Sequence, residues 1–264
     1  MARCTKNWGA VRKFVDDKNE SGLNILTGSS SQDAKTSHTG TIRISTLKKY
    51  PMSLYASEKS NERVSLLKLF NTKELDFEES SLSIDGLIFS ICRGGWPRSL
   101  WNKTPEFQLE IANDLFLSNL YRDISRMDGT ERNPLFAERI LHSYSRNICT
   151  LAQSKTIYDD VAAISDISSP TYYSYIETLQ KHFIIEDVPA WRPSIRSKEA
   201  MRAGVKRNLI DPSLAVAALD LTPEYFNIDF KTLGFLFESL CIRDLKIYSS
   251  KMRGEMSYAT IDMV

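Results

Sequence analysis

From Pro105 onward the chain repeats its apolar residues at helical spacing, and this repeat governs what the second half can become. Phe107, Ile111 and Leu115 recur every four residues, the spacing that puts side chains on one face of a helix. A second helix is expected to open at Asn133-Pro134, a capping residue followed by proline in the first turn. Its apolar face reads Phe136, Ile140, Tyr144, Ile148 and Leu151. A third, shorter helix follows Thr156 with Ile157, Val161 and Ile164 on one side. A fourth starts at Ser169-Pro170 with Tyr172, Ile176, Leu179 and Phe183 inward.

Beyond these, Phe183 to Val188 is apolar and β-branched and closes at Pro189 and Trp191, so a strand is expected there, in the helix-helix-helix-wing order of a winged helix-turn-helix. A further strand is expected at Arg207 to Ile210 and a small-residue helix after Asp211-Pro212. The last helix is expected to turn Leu233, Leu236, Phe237, Leu240 and Cys241 inward. The first part of the chain reads as helix, turn and strand, with Trp8, Val11 and Val15 at helical spacing and a buried strand at Leu23 to Leu26. The polar run of residues 29–40 is a loop, and residues 41–47 form a second strand ended at Pro51. Residues 63–70 carry another helical pattern.

The formal net charge is +1 at 42% hydrophobic and 25% charged residues, so no global field draws the chain to nucleic acid or membrane and any such contact must come from a local patch. Cys4, Cys92, Cys149 and Cys241 form no CxxC pair and read as reduced thiols, which makes the cytoplasm the expected location. No window approaches the roughly 18 apolar residues of a membrane span. His38, His142 and His182 are too scattered for a metal set.

The run from Ile25 to Thr36, ILTGSSSQDAKT, has the outline of a phosphate-binding loop but places Ala34 and Ser29 where the two cradle glycines belong, with Gly28 one residue too early. No apolar strand ends in the acidic pair that would hold magnesium. The electrostatic stabilisation that phosphoryl transfer requires therefore has no source in this chain.

Five segments in order carry a family resemblance over nearly the whole sequence: NILTGSSS, then SHTGTIRISTLKKYPMSLYASEKSNERVSL, ICRGGWPRSL, SSPTYYSYIETLQKHFIIEDVPAW, and KRNLIDPSLAVAAL with LGFLFESLCIRDLKIY. They resemble the AAA-type ATPases of bacteria and archaea that carry a C-terminal domain of unknown function. The resemblance implies a mixed α/β chain: an ATPase-core remnant at 1–60, a lid or linker at 61–104, a winged helix at 105–191 and a truncated restriction-nuclease-like α/β region at 192–264. It implies ATP and magnesium for the intact family and no cofactor for this chain, which starts after the Walker A and Walker B strands.

By the same resemblance Thr27 and Ser29 stand at γ-phosphate sensor positions, or simply cap a strand. Arg43 stands where an arginine finger would face a neighbouring nucleotide, or is an exposed strand arginine; Ile42 and Lys49 replace the family's usual glycine and methionine. Thr171, Tyr173, Ser174, Gln180 and Lys181 face outward from the fourth helix, where a winged helix meets the DNA major groove or docks a protein. Arg192, Arg196, Lys198, Arg202, Lys206 and Arg207, set against Glu199, form the most basic stretch and would hold phosphates. Gly94-Gly95-Trp96-Pro97 reads as a turn without chemistry, and Glu238 as a metal-position relative or a helix-solvating acid. The expected partners are DNA, a second copy, or a chain supplying Walker A and B, and no membrane.

Overall fold

The computed structural model describes residues 10–11, 13–18, 20, 22–25, 47–61, 63–74, 79–101, 104–118, 120–121, 124, 130–191, 204–252 and 254–259. The chain divides into two units, residues 1–49 and 50–264. In the first, residues 10–11 and 13–18 are helical, with Val11 and Val15 half-buried as their spacing requires. The strand expected from Leu23 is not formed at residues 23–25, which have no regular structure, and Ile25 is 89% exposed. Thr27, Ser29 and Arg43 lie outside the described residues.

The second unit is helical. Its elements are α1 (Leu66–Thr72), α2 (Ile84–Arg93), α3 (Pro97–Trp101), α4 (Pro105–Ser118), α5 (Pro134–Arg146), α6 (Ser154–Ala162), α7 (Ser169–Lys181), α8 (Pro212–Ala218), a 3-10 turn at Pro223–Asn227, and α9 (Phe230–Ser250). Local chemistry sets the starts. Asn133, Ser168 and Asp211 each accept a backbone N–H of the first turn while proline follows at its start. The cap satisfies one of the orphan donors of the helix end, and proline removes another without losing a bond.

α8 is short and lies at the centre, packed against α2, α4, α5 and α9. Pro212 to Val216 are all buried, and the small side chains of the SLAVAA run allow several helices to approach the same short segment closely. One buried cluster runs from Ile88 on α2 to Ile242 on α9. α7 is fixed to it by Tyr172, whose ring lies 5.4 Å from Tyr158 of α6, and by Tyr175, 6.2 Å from Phe136 of α5.

Contrary to the α/β expectation, there is no sheet among the described residues. Extended backbone is limited to isolated bridges, Ile185–Leu209 and Val188–Lys206 antiparallel and Ala190–Tyr258 parallel. Phe183, read as the first strand residue, has φ +58° and donates its N–H to Gln180, so it ends α7 instead. Ile184 and Ile185 are both buried, which is not the alternation of a half-buried strand, and a short β-branched run cannot by periodicity alone be told from other buried backbone. After α5, α6 and α7 the chain thus forms a pair of bridged extended segments, not the strand wing of a winged helix-turn-helix. The region expected as a restriction-nuclease-like α/β domain is α8, the 3-10 turn and α9, and no ATPase sheet is found among the described residues of the first unit.

Candidate functional site

At the typical turn of about 100° per residue, Pro170, Tyr173, Ser174, Glu177, Gln180 and Lys181 fall on one outward face of α7, while Tyr172, Tyr175, Thr178 and Leu179 are buried. Thr171 lies to the side, its hydroxyl hydrogen-bonded to that of the capping Ser168 at 2.8 Å. The face has little net charge, because Lys181 sits 2.8 Å from Glu177 one turn before it. Tyr173 is half-exposed and packs edge-on against Tyr172 at 5.1 Å. Ser174 accepts from Arg132 at 3.1 Å, and the Arg132 guanidinium lies 5.0 Å over the Tyr175 ring. Arg132, Thr171 and Ser174 edge a cleft of about 360 Å³ beside the start of α7.

Two ionic clusters lie in the interior of the helical unit. In the first, Arg207 donates to Asp187 (2.9 Å), the Ala152 carbonyl (2.8 Å) and Ser154 (2.8 Å), while Tyr144 donates to Asp187. Burial, reinforced by the Asp187 carboxylate, pushes the Tyr144 phenol well above its usual range. Burial opposes the Arg207 charge, but Tyr144 and Asp187 outweigh it and the guanidinium is held above its ordinary value. In the second cluster Arg243 donates to Asp211 at 2.8 Å and to Asp244 at 2.9 Å. Asp211 also accepts from Gly95 N–H and Ser213 N–H, each at 3.0 Å, and Asp244 from Leu54 N–H at 2.8 Å. Buried beside them, Arg93 is held below its usual value by burial first and by Arg243 second.

The Gly94-Gly95 turn is built around this second cluster. Gly94 takes φ +74°, a conformation that glycine adopts without steric cost. A Cβ on Gly95 would meet the Met52 carbonyl oxygen at 2.2 Å. The turn packs directly on the Met52 backbone and donates the Gly95 N–H to Asp211.

Of the basic stretch, Lys206 and Arg207 are among the described residues. Lys206 pairs with Glu238 and Arg207 with Asp187, so both are spent on internal carboxylates. Arg192, Arg196, Lys198 and Arg202 lie outside the described residues. Glu238, read as a metal-position relative or a solvating acid, is the ion-pair partner of Lys206. Sequence reasoning missed Arg132, Asp187, Asp211 and Arg243; only the capping position of Asp211 before Pro212 carried a local signal.

A second cleft of about 320 Å³ holds Tyr50, Glu186 and Lys246, already joined to one another: Tyr50 donates to Glu186 at 3.0 Å and Lys246 lies 3.3 Å from it. Burial raises the thiols of Cys92 and Cys149 to about 12, which leaves them protonated and unreactive at neutral pH. Among the described residues no group of three metal-ligating side chains gathers, and no helix is long and apolar enough to cross a membrane.

An all-helical unit with ionic clusters inside and a polar helix face outside thus defines the class. Residues 84–225, α2 through the start of the 3-10 turn and just over half of the chain, match the family described as Domain of unknown function (DUF8612), and the chain belongs to that family. No curated protein and no solved structure matches it.

Proposed function

We propose that the helical unit is a protein-docking module whose contact surface is the outward face of α7. The observation that carries this reading is the composition of that face: a half-exposed Tyr173 beside a Glu177–Lys181 pair whose charges cancel. An aromatic anchor with few rotatable bonds on a preorganised helix is the residue type that dominates protein interfaces. Duplex DNA binding, in contrast, draws its affinity from cations that neutralise phosphates. Lys206 and Arg207, two of the six cations of the basic stretch, are held by Glu238 and Asp187.

The test compares the full chain with Tyr173→Ala. Affinity capture from cells that express the protein is expected to retain a specific partner with the parent chain and lose it with the variant, at unchanged circular dichroism and thermal midpoint. Fluorescence anisotropy with a random DNA duplex is run alongside at low and moderate salt. Tight binding that weakens steeply with salt, and that is indifferent to Tyr173→Ala, would transfer the function to nucleic acid and overturn the docking reading.

A further inference from the structure

We infer that the chain forms an antiparallel two-fold dimer through the first half of α9, with Gly234 at the crossing point. The face in question is outside the interior that α9 helps to build. Leu233, Leu236, Ser239 and Leu240 are buried, while Phe230 and Phe237 are 63% and 44% exposed. At 3.6 residues per turn Phe230, Gly234, Phe237 and Cys241 share an arc of about 60°, an apolar stripe with a glycine in its middle. Ile228, just before the helix, is also exposed.

The glycine is the informative residue. In a helix interior it weakens the helix relative to alanine, and such a position is understandable where something must come close. Nothing among the described residues does: a Cβ built on Gly234 meets no atom within 4 Å. The close approach is therefore to something outside the described residues, and a missing side chain between two aromatic ones is a notch for a crossing helix.

The pattern identifies that helix as a second copy. A two-fold axis at Gly234 sets position 230 against 238 and 231 against 237, because paired positions sum to twice 234. Each Phe230 then lies within about one residue, or 1.5 Å of helix rise, of Phe237 of the second copy. The two glycines meet on the axis. Lys231 and Glu238 lie on the same flank of the stripe, about 80–100° from Phe230, and antiparallel two-fold pairing brings like flanks together. Lys231 of each copy therefore meets Glu238 of the other, two opposite-charge pairs related by the axis, which is the self-complementarity an isologous interface requires. Glu238, although paired with Lys206, keeps 41% of its side chain exposed for this second contact. The inference stands on α9 alone and is independent of the docking reading for α7.

Sedimentation velocity on the full chain across the micromolar range tests it. The sedimentation coefficient is expected to rise from monomer to dimer with concentration. Gly234→Leu is expected to abolish that rise while the thermal midpoint measured at monomer concentration holds or increases, since leucine favours the helix and the space around it is open; this separates loss of pairing from loss of folding. Lys231→Glu and Glu238→Lys are each expected to weaken the dimer at least tenfold, and mixing the two variants is expected to restore it, because only the mixed pair is complementary at both contacts. A chain that stays monomeric throughout, a dimer indifferent to Gly234→Leu, a mixture that fails to recover, or a monomer that takes up only an unrelated amphipathic helix on this face would each overturn the proposal.

Discussion

Arg243 and Lys181 each approach a carboxylate to 2.8 Å, yet the two pairs have little else in common. The Arg243 and Asp211 side chains are 2% and 0% exposed, those of Lys181 and Glu177 are 44% and 66% exposed. At one distance the surrounding medium decides the energy. In water the Lys181 pair is screened and must immobilise two long side chains, so it contributes little. Inside, charges removed from water must be matched completely, and loss of one partner leaves a buried charge with no compensation. The cluster around Asp211 joins α8, α9, the Gly94-Gly95 turn and the segment at Leu54 into one frame, whereas the α7 face is free to change its contacts without cost to that frame.

Arg243→Leu breaks this comparison most severely. It leaves the buried carboxylates of Asp211 and Asp244 without the guanidinium that bridges them, and the expected loss is about 3–5 kcal/mol, enough to unfold a domain of ordinary stability and readable as a collapse of the urea midpoint. Gly95→Ala attacks the same frame through the backbone. Its Cβ would lie 2.2 Å from the Met52 carbonyl oxygen and 2.7 Å from the Met52 nitrogen, and both are main-chain atoms that cannot rotate away. The expected cost is about 2–3 kcal/mol, measured by the same denaturation.

Alkaline pH tests how dry the interior is. Cys92 and Cys149 are raised from 9.0 to about 12, by burial first and by Glu224 and Glu238 respectively. A raised folded-state value means the neutral thiol is favoured in the native chain. Its stabilisation is complete below the unfolded value near 9 and is lost as pH climbs toward 12, by about 1.4 kcal/mol per thiol per pH unit. Unfolding midpoints measured from pH 8 to 11 are expected to fall above 9, and Cys149→Ala is expected to flatten the decline.

The smallest effect belongs to the surface. Lys181→Ala is expected to change stability by less than about 0.5 kcal/mol, as is Tyr173→Ala within a similar margin. A larger loss from Lys181→Ala in a thermal melt would show that the α7 face is part of the frame and would erase the distinction.

The helices of the second unit were legible in large part because their signals are short-range. Asn133-Pro134, Ser169-Pro170 and Asp211-Pro212 announce the starts of α5, α7 and α8, and each capping side chain bonds an N–H only two or three residues along. The direction of each apolar face was less legible. Phe237 is expected inward and Phe107 on the apolar face of its helix, yet both are exposed, because the apolar arc of a helix can be wider than the groove it fills; Leu151, expected on the apolar face of α5, lies beyond that helix, which ends at Arg146, and is exposed. Of the candidate site, the outward positions Tyr173, Gln180 and Lys181 could be read from periodicity and are exposed. The internal pairing of Lys206 and Arg207 was not legible, since their partners Glu238 and Asp187 lie 32 and 20 residues away.

By itself, then, the sequence determined where helices begin, which residues could bury, and that no glycine cradle for phosphate exists at Ile25 to Thr36. Capping, periodicity and glycine placement act within one or two turns of chain, so they are complete in the linear order of residues. Only the tertiary structure decided that the β-branched segments at Ile184–Val188 and Lys206–Leu209 bridge without building a sheet. It alone gathered Arg93, Asp211, Arg243 and Asp244 into one buried cluster and left the Phe230–Phe237 stripe outside. Those outcomes depend on which surfaces compete for the same volume and on charges that meet only after distant segments pack.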